Sequence, residues 1–253
     1  MATNKVTDNK EIIDNEPFSI ELARVCIGLN PRNDKLKKHC KKYLSDGNPD
    51  FVLEATDSDI EAERERAISY FGRSDINDNE LERVFIYREI AERMPSYNTF
   101  LMHASAIAVD GEAYLFTGPS GTGKTTHTKL WKKELQDRMR VINDDKPLIK
   151  ITSDEIVACG SPWCGKELWN NNIVAPLKAI VFIHQAPENE IFRMSDTDAW
   201  EALMNQVYRS HNPENMKKTL GFIESLIKSV PIYSLNCTKD IEAARLAYKK
   251  LKG

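Results

Sequence analysis

The sequence predicts a mixed α/β fold, with a mixed sheet flanked by helices. Runs of β-forming residues alternate with segments of helical periodicity along the chain. The pair Asp110 and Gly111 lies between two apolar runs and predicts a hairpin, because both positions of such a turn favour positive φ. A glycine-rich segment, 118–123, then joins the second apolar run to a helix-competent one. Together these observations favour strands and helices mixed in one core.

We predict two parts, an N-terminal α+β region over 1–95 that packs on the remainder and a core over 96–253. In the first part, residues 18–29 and 50–55 are rich enough in β-forming residues to be strands, with a helix as the alternative for 18–29. The basic run 35–42 is typical of a solvated helix face, with a docking patch for an acidic partner as the alternative.

Two helices are predicted before residue 95. Ser58 and Glu61 have the spacing of a capping box, in which each residue bonds a backbone N–H at the helix start. Asn79 and Glu82 offer a similar start. From there apolar residues recur at helical spacing, and Pro95 ends the run.

The core is predicted to alternate strands and helices. The predicted strands cover 100–109, 112–117, 141–142, 147–151, 155–159, 177–184 and 232–237. The predicted helices cover 124–138, two or three segments within 196–229, and 239–252.

Composition describes an ordinary globular protein, with 41% hydrophobic residues and a net charge of −3. No strong basic excess for nucleic-acid binding is present. No run approaches the roughly 18 apolar residues of a membrane span, and the first residues lack the apolar core of a signal peptide. Five cysteines form no CxxC pair, which favours reduced thiols. We therefore expect a cytoplasmic protein that binds neither nucleic acid nor membrane.

Residues 118–125 read GPSGTGKT and match the phosphate-loop pattern GxxxxGK[ST] at every fixed position. Small residues let backbone N–H groups approach phosphate oxygens, and the following helix presents its positive end to them. The predicted nucleotide-binding residues are Gly118, Pro119, Ser120, Gly121, Thr122, Gly123, Lys124, Thr125 and Thr126. Lys124 is predicted to reach the β- and γ-phosphates and the Thr125 hydroxyl to bind Mg²⁺. A chance glycine-rich turn is the alternative.

A pair of carboxylates, Asp144 and Asp145, follows the next short strand. Adjacent carboxylates can divide the work, one binding Mg²⁺ and the other accepting the proton of an attacking hydroxyl. The alternative is a polar turn in which the Asn-Asp-Asp sequence at 143–145 caps the backbone.

Two further candidates lie outside this pair. His103 precedes the hairpin and is predicted to face the phosphates, with a buried and satisfied histidine as the alternative. The loop 160–166 carries Trp163 and Lys166, which could close over the acceptor or stabilise transition-state charge. A loop anchored by a half-buried Trp163 is the alternative.

The residues at 103–106, 118–126 and 142–147 resemble the HPr kinase/phosphorylase and phosphoenolpyruvate carboxykinase superfamily. The segment 160–183 resembles a smaller branch of compact bacterial HPr-kinase-like proteins, some of which phosphorylate serine in peptide precursors. The resemblance covers 100–250 and implies a P-loop kinase core of that type.

The resemblance also implies roles for single residues. It implies phosphate binding by Gly121, Gly123 and Lys124, and Mg²⁺ binding by Thr125 and Asp144. It makes Asp145 the catalytic base, although the two aspartates could exchange roles, and it places His103 on the terminal phosphate. Lys166 is taken as a further catalytic residue.

Two departures bear on the substrate. Thr126 stands where HPr kinases carry an acidic residue beside the metal, and the segment 162–166 replaces their signature rich in Glu, Arg and Gly. Both argue against HPr itself as the acceptor. Phosphoenolpyruvate carboxykinases are about twice as long and use metal and carboxylate-binding residues that have no counterpart here, which argues against decarboxylation.

The sequence therefore predicts an ATP- and Mg²⁺-dependent kinase that phosphorylates a hydroxyl, with serine favoured, of a peptide, a protein or a small molecule. GTP stays an alternative to ATP, and a homo-oligomer stays open. Two other functions stay open as well: a nucleotide-binding regulator with little catalysis, and a phosphorylase that uses inorganic phosphate at the same site.

Overall fold

The computed structural model describes residues 15–252. The prediction that the first residues lack a signal peptide therefore lies outside the described residues, as do the start of the predicted region 1–95 and the last residue of the predicted core. Within residues 15–252, no helix is both long and apolar enough to cross a membrane.

Strands and helices alternate along the chain, and the predicted mixed α/β fold is confirmed. The strands are β1 (Phe18–Leu22), β2 (Val25–Asn30), β3 (Leu44–Ser45), β4 (Phe51–Glu54), β5 (Thr99–Leu101), β6 (Ala104–Val109), β7 (Glu112–Thr117), β8 (Met139–Asn143), β9 (Leu148–Ile151), β10 (Ile156–Cys159), β11 (Val174–Gln185), β12 (Glu190–Arg193) and β13 (Ile232–Cys237). The helices are α1 (Asp34–His39), α2 (Asp57–Phe71), α3 (Asp78–Arg93), α4 (Lys124–Leu135), α5 (Asp196–Met204), α6 (Pro213–Ser229) and α7 (Ile241–Lys252).

The N-terminal sheet has the strand order β3-β1-β2-β4. Residues 18–29 form an antiparallel hairpin rather than one strand or a helix, because Ala23 and Arg24 both take positive φ and reverse the chain. One buried hydrophobic cluster contains Ile27 of this sheet and Phe85 of α3 together with Val157 of β10. The N-terminal residues thus pack against the central sheet, while the division at residue 95 stays a prediction.

The central sheet is mixed. Strand β11 pairs in parallel with β7 and β13, while β6 and β8 continue antiparallel beyond β7. The first residues of β11 pair with β10, which extends the sheet through β9 to β5. The predicted hairpin at Asp110 and Gly111 joins β6 to β7, and both residues take positive φ, as this turn requires.

Helices cover both faces of the central sheet, because apolar side chains of β7 point alternately to one face and to the other. Tyr114 and Phe116 pack with Trp131 of α4 in a cluster that includes α7. Leu115 points the other way and packs with Phe222 of α6. Since successive strand residues face opposite sides, one strand contributes to two hydrophobic cores. The carboxyl end of β7, where 118–123 begins, is thereby held between two packed layers.

Some predicted boundaries are wrong. The capping box of α2 is formed by Thr56 and Asp59, since an overlapping Thr-x-x-Asp pattern begins two residues before the predicted one. Asn77 caps α3, again two residues earlier than predicted. The predicted strand 100–109 is interrupted at residues 102–103, where the His103 amide donates to the Gln206 carbonyl instead of a neighbouring strand.

Candidate functional site

The glycine-rich segment 118–123 runs from the end of β7 to the first residue of α4. Gly118 and Gly123 take φ values of 138° and 106°, a region that L side chains rarely adopt. A Cβ on Gly118 would also lie 3.3 Å from the carbonyl oxygen of Ile183 on β11. Glycine is therefore required at both ends of the loop, and its tight course leaves the first amides of α4 facing outward.

Two side chains fix the shape of this loop. The Thr122 hydroxyl donates to the Pro119 carbonyl oxygen at 2.9 Å. From β11, the Gln185 amide donates to the Gly121 carbonyl oxygen, also at 2.9 Å. Gln185 was not predicted, since its partner is far away in the sequence.

Lys124 is buried, and its ammonium group donates to the carbonyl oxygens of Gly118 at 2.9 Å and Pro119 at 3.2 Å. Burial lowers the pKa of this ammonium, and the nearby Asp145 carboxylate opposes that effect. The Lys124 ammonium thus lies against the backbone of the loop. An anion bound by the loop would offset the energetic cost of burying this ammonium.

Asn143, the last residue of β8, organises the turn that follows. Its side-chain oxygen accepts from the amides of Asp145 at 2.9 Å and Lys146 at 2.6 Å. Its amide group donates to the carbonyl oxygens of Ser161 and Trp163, each at 2.9 Å. Asn143 is fully buried. The capping role that was an alternative reading of 143–145 therefore belongs to Asn143 and leaves both aspartate side chains for other contacts.

Asp144 is buried, with one carboxylate oxygen accepting from the Gly165 amide at 2.6 Å. The Asp144 backbone is fixed as well, because its amide donates to the Trp169 carbonyl and its own carbonyl accepts from the Ser105 hydroxyl. Burial is the main cause that raises the pKa of this carboxyl, and the neighbouring Asp145 adds to it. A nearby cation would relieve that cost.

Asp145 has different surroundings. One of its oxygens lies 3.3 Å from Nε2 of His103, and the other lies 3.5 Å from the ammonium of Lys146. Burial raises the pKa of Asp145, but the hydrogen bond from His103 and the charge of Lys146 more than offset it and leave the pKa below its ordinary value. Asp145 is thus ionised at neutral pH, whereas the environment of Asp144 disfavours ionisation.

His103 is held at three points. Its amide donates to the Gln206 carbonyl at 2.8 Å, and its carbonyl accepts from the Thr117 hydroxyl at 2.7 Å. Its Nδ1 lies 3.2 Å from the side-chain oxygen of Gln206. Gln206 follows α5 and was not predicted, because no local pattern links it to a histidine so distant in the chain.

A cleft of about 480 Å³ brings most of the predicted site residues together. It is lined by His103, Ser120, Gly121, Gly123, Lys124, Thr125, Thr126, Lys129, Asp144, Asp145, Gly165, Lys166 and Glu167. All four predicted catalytic residues and both predicted metal ligands are among them. Gly118, Pro119 and Thr122 do not line this cleft. Lys129 and Glu167, which were not predicted, form an ion pair of 2.7 Å at its edge.

The loop 160–166 has an anchored half and a half that faces the cleft. A Cβ on Gly160 would lie 2.0 Å from the Asn171 carbonyl oxygen, so only glycine fits there. The indole N–H of Trp163 donates to the Arg83 carbonyl at 3.0 Å, and the Tyr43 hydroxyl donates to the Ser161 carbonyl at 2.9 Å. The half-buried Trp163 is therefore an anchor, and Lys166 lies beyond it at the cleft.

No group of three or more His, Cys, Asp or Glu side chains that could hold a metal ion occurs in residues 15–252. Magnesium that accompanies a nucleotide commonly takes only one or two protein ligands, the rest being phosphate oxygens and water. Thr125 and Asp144, which line the same cleft, are chemically suited to that number.

Fold and site together define a mixed α/β protein in which a glycine-rich strand–loop–helix segment faces a pair of aspartates across a cleft. The family described as SynChlorMet cassette protein ScmC matches residues 78–241, more than half of the chain. The chain belongs to this family. The matched range contains the glycine-rich loop, the aspartate pair and the anchored loop.

The other comparisons add little. The solved structure of the Hpr(Ser) kinase/phosphatase from Coxiella burnetii shows weak similarity, with a TM-score of 0.33 and 10% identity over 60% of this chain and 93% of that chain. No curated protein matches the chain.

Proposed function

We propose that this protein is an ATP- and Mg²⁺-dependent phosphotransferase, a serine kinase of the HPr-kinase-like type. It moves the γ-phosphoryl group to a hydroxyl, preferably that of a serine, with a peptide, a protein or a small molecule as the acceptor. The observation that carries the proposal is that Lys124 and the two unequal aspartates, Asp144 and Asp145, line one cleft with the glycine-rich loop.

The loop suits the phosphates of a nucleotide. Its course leaves the amides at the start of α4 without intrahelical partners, so that they can donate to phosphate oxygens. The Lys124 ammonium can exchange its two carbonyl partners for phosphate oxygens, which bind an ammonium more strongly than neutral acceptors do. Thr126 follows at the cleft wall, within the same first turn of α4.

Magnesium suits Thr125 and Asp144. When bound, Mg²⁺ supplies positive charge that offsets the charge of the phosphates and orients them. Asp144 is the better ligand of the two aspartates, because its buried carboxylate has no cationic partner among residues 15–252 and its position is fixed by the Gly165 amide. Its raised pKa means that its surroundings disfavour the ionised form, which a cation bound beside it would stabilise.

Asp145 suits the general base. It accepts the proton of the acceptor hydroxyl while the acceptor oxygen bonds to the γ-phosphorus, and the bond from that phosphorus to the bridging oxygen of ADP breaks. His103 orients the carboxylate through its Nε2, and Gln206 orients His103. Lys166 is exposed and forms no hydrogen bond with a residue in the described part of the chain. Its ammonium is therefore available to neutralise charge on the transferred group.

The experiment is incubation of the purified protein with radiolabelled ATP, Mg²⁺ and a pool of serine-containing peptides, followed by mass spectrometry of the labelled product. We expect phosphoserine, and we expect Lys124→Ala to lower transfer by roughly two to four orders of magnitude. Lys133→Ala is the matched control, since Lys133 is an exposed residue of α4 that does not line the cleft.

Two results would replace the proposal with one of the other functions. Tight ATP binding without transfer to any hydroxyl would favour a nucleotide-binding regulator. Removal of phosphate from a phosphoserine peptide that depends on added inorganic phosphate, and is faster than transfer from ATP, would favour a phosphorylase.

A further inference from the structure

A second cavity of about 350 Å³ lies beside the cleft and carries concentrated positive charge. We call it the basic pocket and define it by Lys42, Lys132, Arg140 and Trp169. No acidic residue of the described chain lines it. Lys132 and Arg140 form no ion pair with another described residue, so their charges are available to a ligand.

The pocket is built from three separate parts of the chain. Lys132 belongs to α4 and its ammonium lies 4.8 Å from the centre of the Trp169 ring. Arg140 is an exposed residue of β8. Lys42 follows α1 and donates to the Asn170 carbonyl oxygen, which ties the N-terminal region to this wall. Trp169 is half-buried against the hydrophobic core, so the pocket has an aromatic side as well as cationic ones.

The basic pocket and the cleft share one loop. Lys166 lines the cleft and Trp169 lines the pocket, so their Cα atoms are at most about 11 Å apart. Lys129 also joins the two sites, because it lines the cleft and its ammonium lies 5.8 Å from the Trp169 ring centre. The Trp169 carbonyl accepts from the amide of Asp144. A ligand in the pocket is therefore fixed relative to the aspartates.

We propose that the basic pocket binds acidic side chains of a peptide acceptor whose hydroxyl residue lies in the cleft. This inference rests on the proposed function and specifies its substrate class. An extended peptide spans the distance of at most about 11 Å between Lys166 and Trp169 in about three to four residues. The acceptor therefore carries glutamate or aspartate at about that distance from the serine that is phosphorylated.

Charge and size favour a peptide over a nucleic acid. Nucleic-acid binding uses a stripe of basic residues that follows many phosphates, whereas here three cationic side chains line one pocket in a protein of net charge −3. The Trp169 ring also has two ammonium groups near it, which leaves little of its face for stacking on a base.

The test measures binding of a labelled peptide, a serine flanked by glutamates, to the full chain without nucleotide by fluorescence anisotropy. Binding is expected to fall roughly tenfold for Lys132→Glu and for the peptide with glutamine in place of glutamate, which corresponds to about 1.4 kcal/mol. Lys133→Glu, on the same helix but outside the pocket, is the matched control and is expected to change binding by less than about twofold. Arg140→Gln, an exposed change on β8, is expected to weaken binding as well.

Equal binding of the glutamate and glutamine peptides overturns the inference, and so do equal losses of binding in Lys132→Glu and Lys133→Glu. Displacement of the labelled peptide by single-stranded RNA at a lower concentration than by unlabelled peptide overturns it as well. Because the binding test contains no nucleotide, its result does not depend on phosphoryl transfer. A protein that binds the acidic peptide in this test but transfers no phosphoryl group from ATP contradicts the proposed function and leaves the pocket in place. Transfer that is indifferent to the glutamates contradicts the pocket alone.

Discussion

Nε2 of His103 lies 3.3 Å from a carboxylate oxygen of Asp145, although the two residues are about forty positions apart in the sequence. The contact joins the residue before β6 to the turn after β8, which are antiparallel neighbours. It makes the surroundings of the two aspartates different. The carboxylate of Asp145 lies beside the His103 imidazole and the Lys146 ammonium, whereas that of Asp144 accepts from a backbone amide. The proposed base and metal roles rest on that asymmetry.

The first prediction concerns pH. The hydrogen bond from His103 helps to hold the pKa of Asp145 below its ordinary value. As the proposed base, Asp145 serves only when ionised, so we expect phosphotransfer to fall as pH drops through that low pKa. His103→Leu removes this hydrogen-bond donor, and we expect the acid limb of the kcat profile to move to higher pH. Profiles of the wild type and the variant check this. An unchanged limb together with a reduced kcat would mean that His103 acts only on the phosphate.

The second prediction is that Asp144→Asn stabilises the fold. A carboxyl whose pKa is raised in the folded state binds a proton more readily there than in the unfolded chain. Ionised Asp144 therefore costs stability at neutral pH. The cost declines as pH falls through the raised pKa and is gone below the ordinary pKa of an aspartate. The amide oxygen of asparagine can still accept from Gly165. We expect Tm to rise by on the order of 2–4 °C at neutral pH and Mg²⁺-dependent ATP binding to weaken.

Calorimetry at neutral and at acid pH checks this prediction. The gain in Tm is expected to shrink in acid, where the wild-type carboxyl is protonated. A gain of the same size at both pH values, or a loss at neutral pH, would contradict the electrostatic explanation. Asp154→Asn, in the exposed turn between β9 and β10, is the control without an expected effect.

The third prediction separates two glycines. Gly160→Ala would place a Cβ 2.0 Å from the Asn171 carbonyl oxygen and 2.9 Å from the Tyr43 hydroxyl. Because a backbone atom has to move, we expect a loss of roughly 1–3 kcal/mol in the free energy of unfolding. Gly221→Ala is the control, since Gly221 lies in α6 with nothing within 4 Å of the added Cβ. It is expected to stabilise by up to about 1 kcal/mol. Urea denaturation of both variants measures the two signs, and equal effects would refute the steric account.

Local sequence patterns predicted much of the cleft. Residues 118–125 form one contiguous segment, and residues 144–145 form another. A loop between a strand and a helix is also a local structure. Gln206, Tyr43 and Arg83 were missed because each contacts the site across a large sequence separation. Their partners are known only once the chain is folded. A pattern of single residues carries no signal for such contacts.

The errors in the fold have similar physical causes. The helix caps lie two residues earlier than predicted because polar residues around them offer overlapping capping patterns, of which the chain uses those at Thr56 and Asn77. Strand β12 was not predicted, since most of its residues are exposed and lack an apolar alternation. It forms by pairing with β13, which supplies the backbone partners.

The most direct measurement of the proposed chemistry is the single-turnover rate of label transfer from saturating ATP to a serine peptide, in the wild type and in Asp145→Asn. ATP affinity is measured on the same samples. We expect the rate to fall by roughly two to four orders of magnitude with ATP affinity changed by less than about threefold, since Asp145 acts on the acceptor hydroxyl and not on the bound phosphates. Transfer at the wild-type rate by Asp145→Asn would contradict the account.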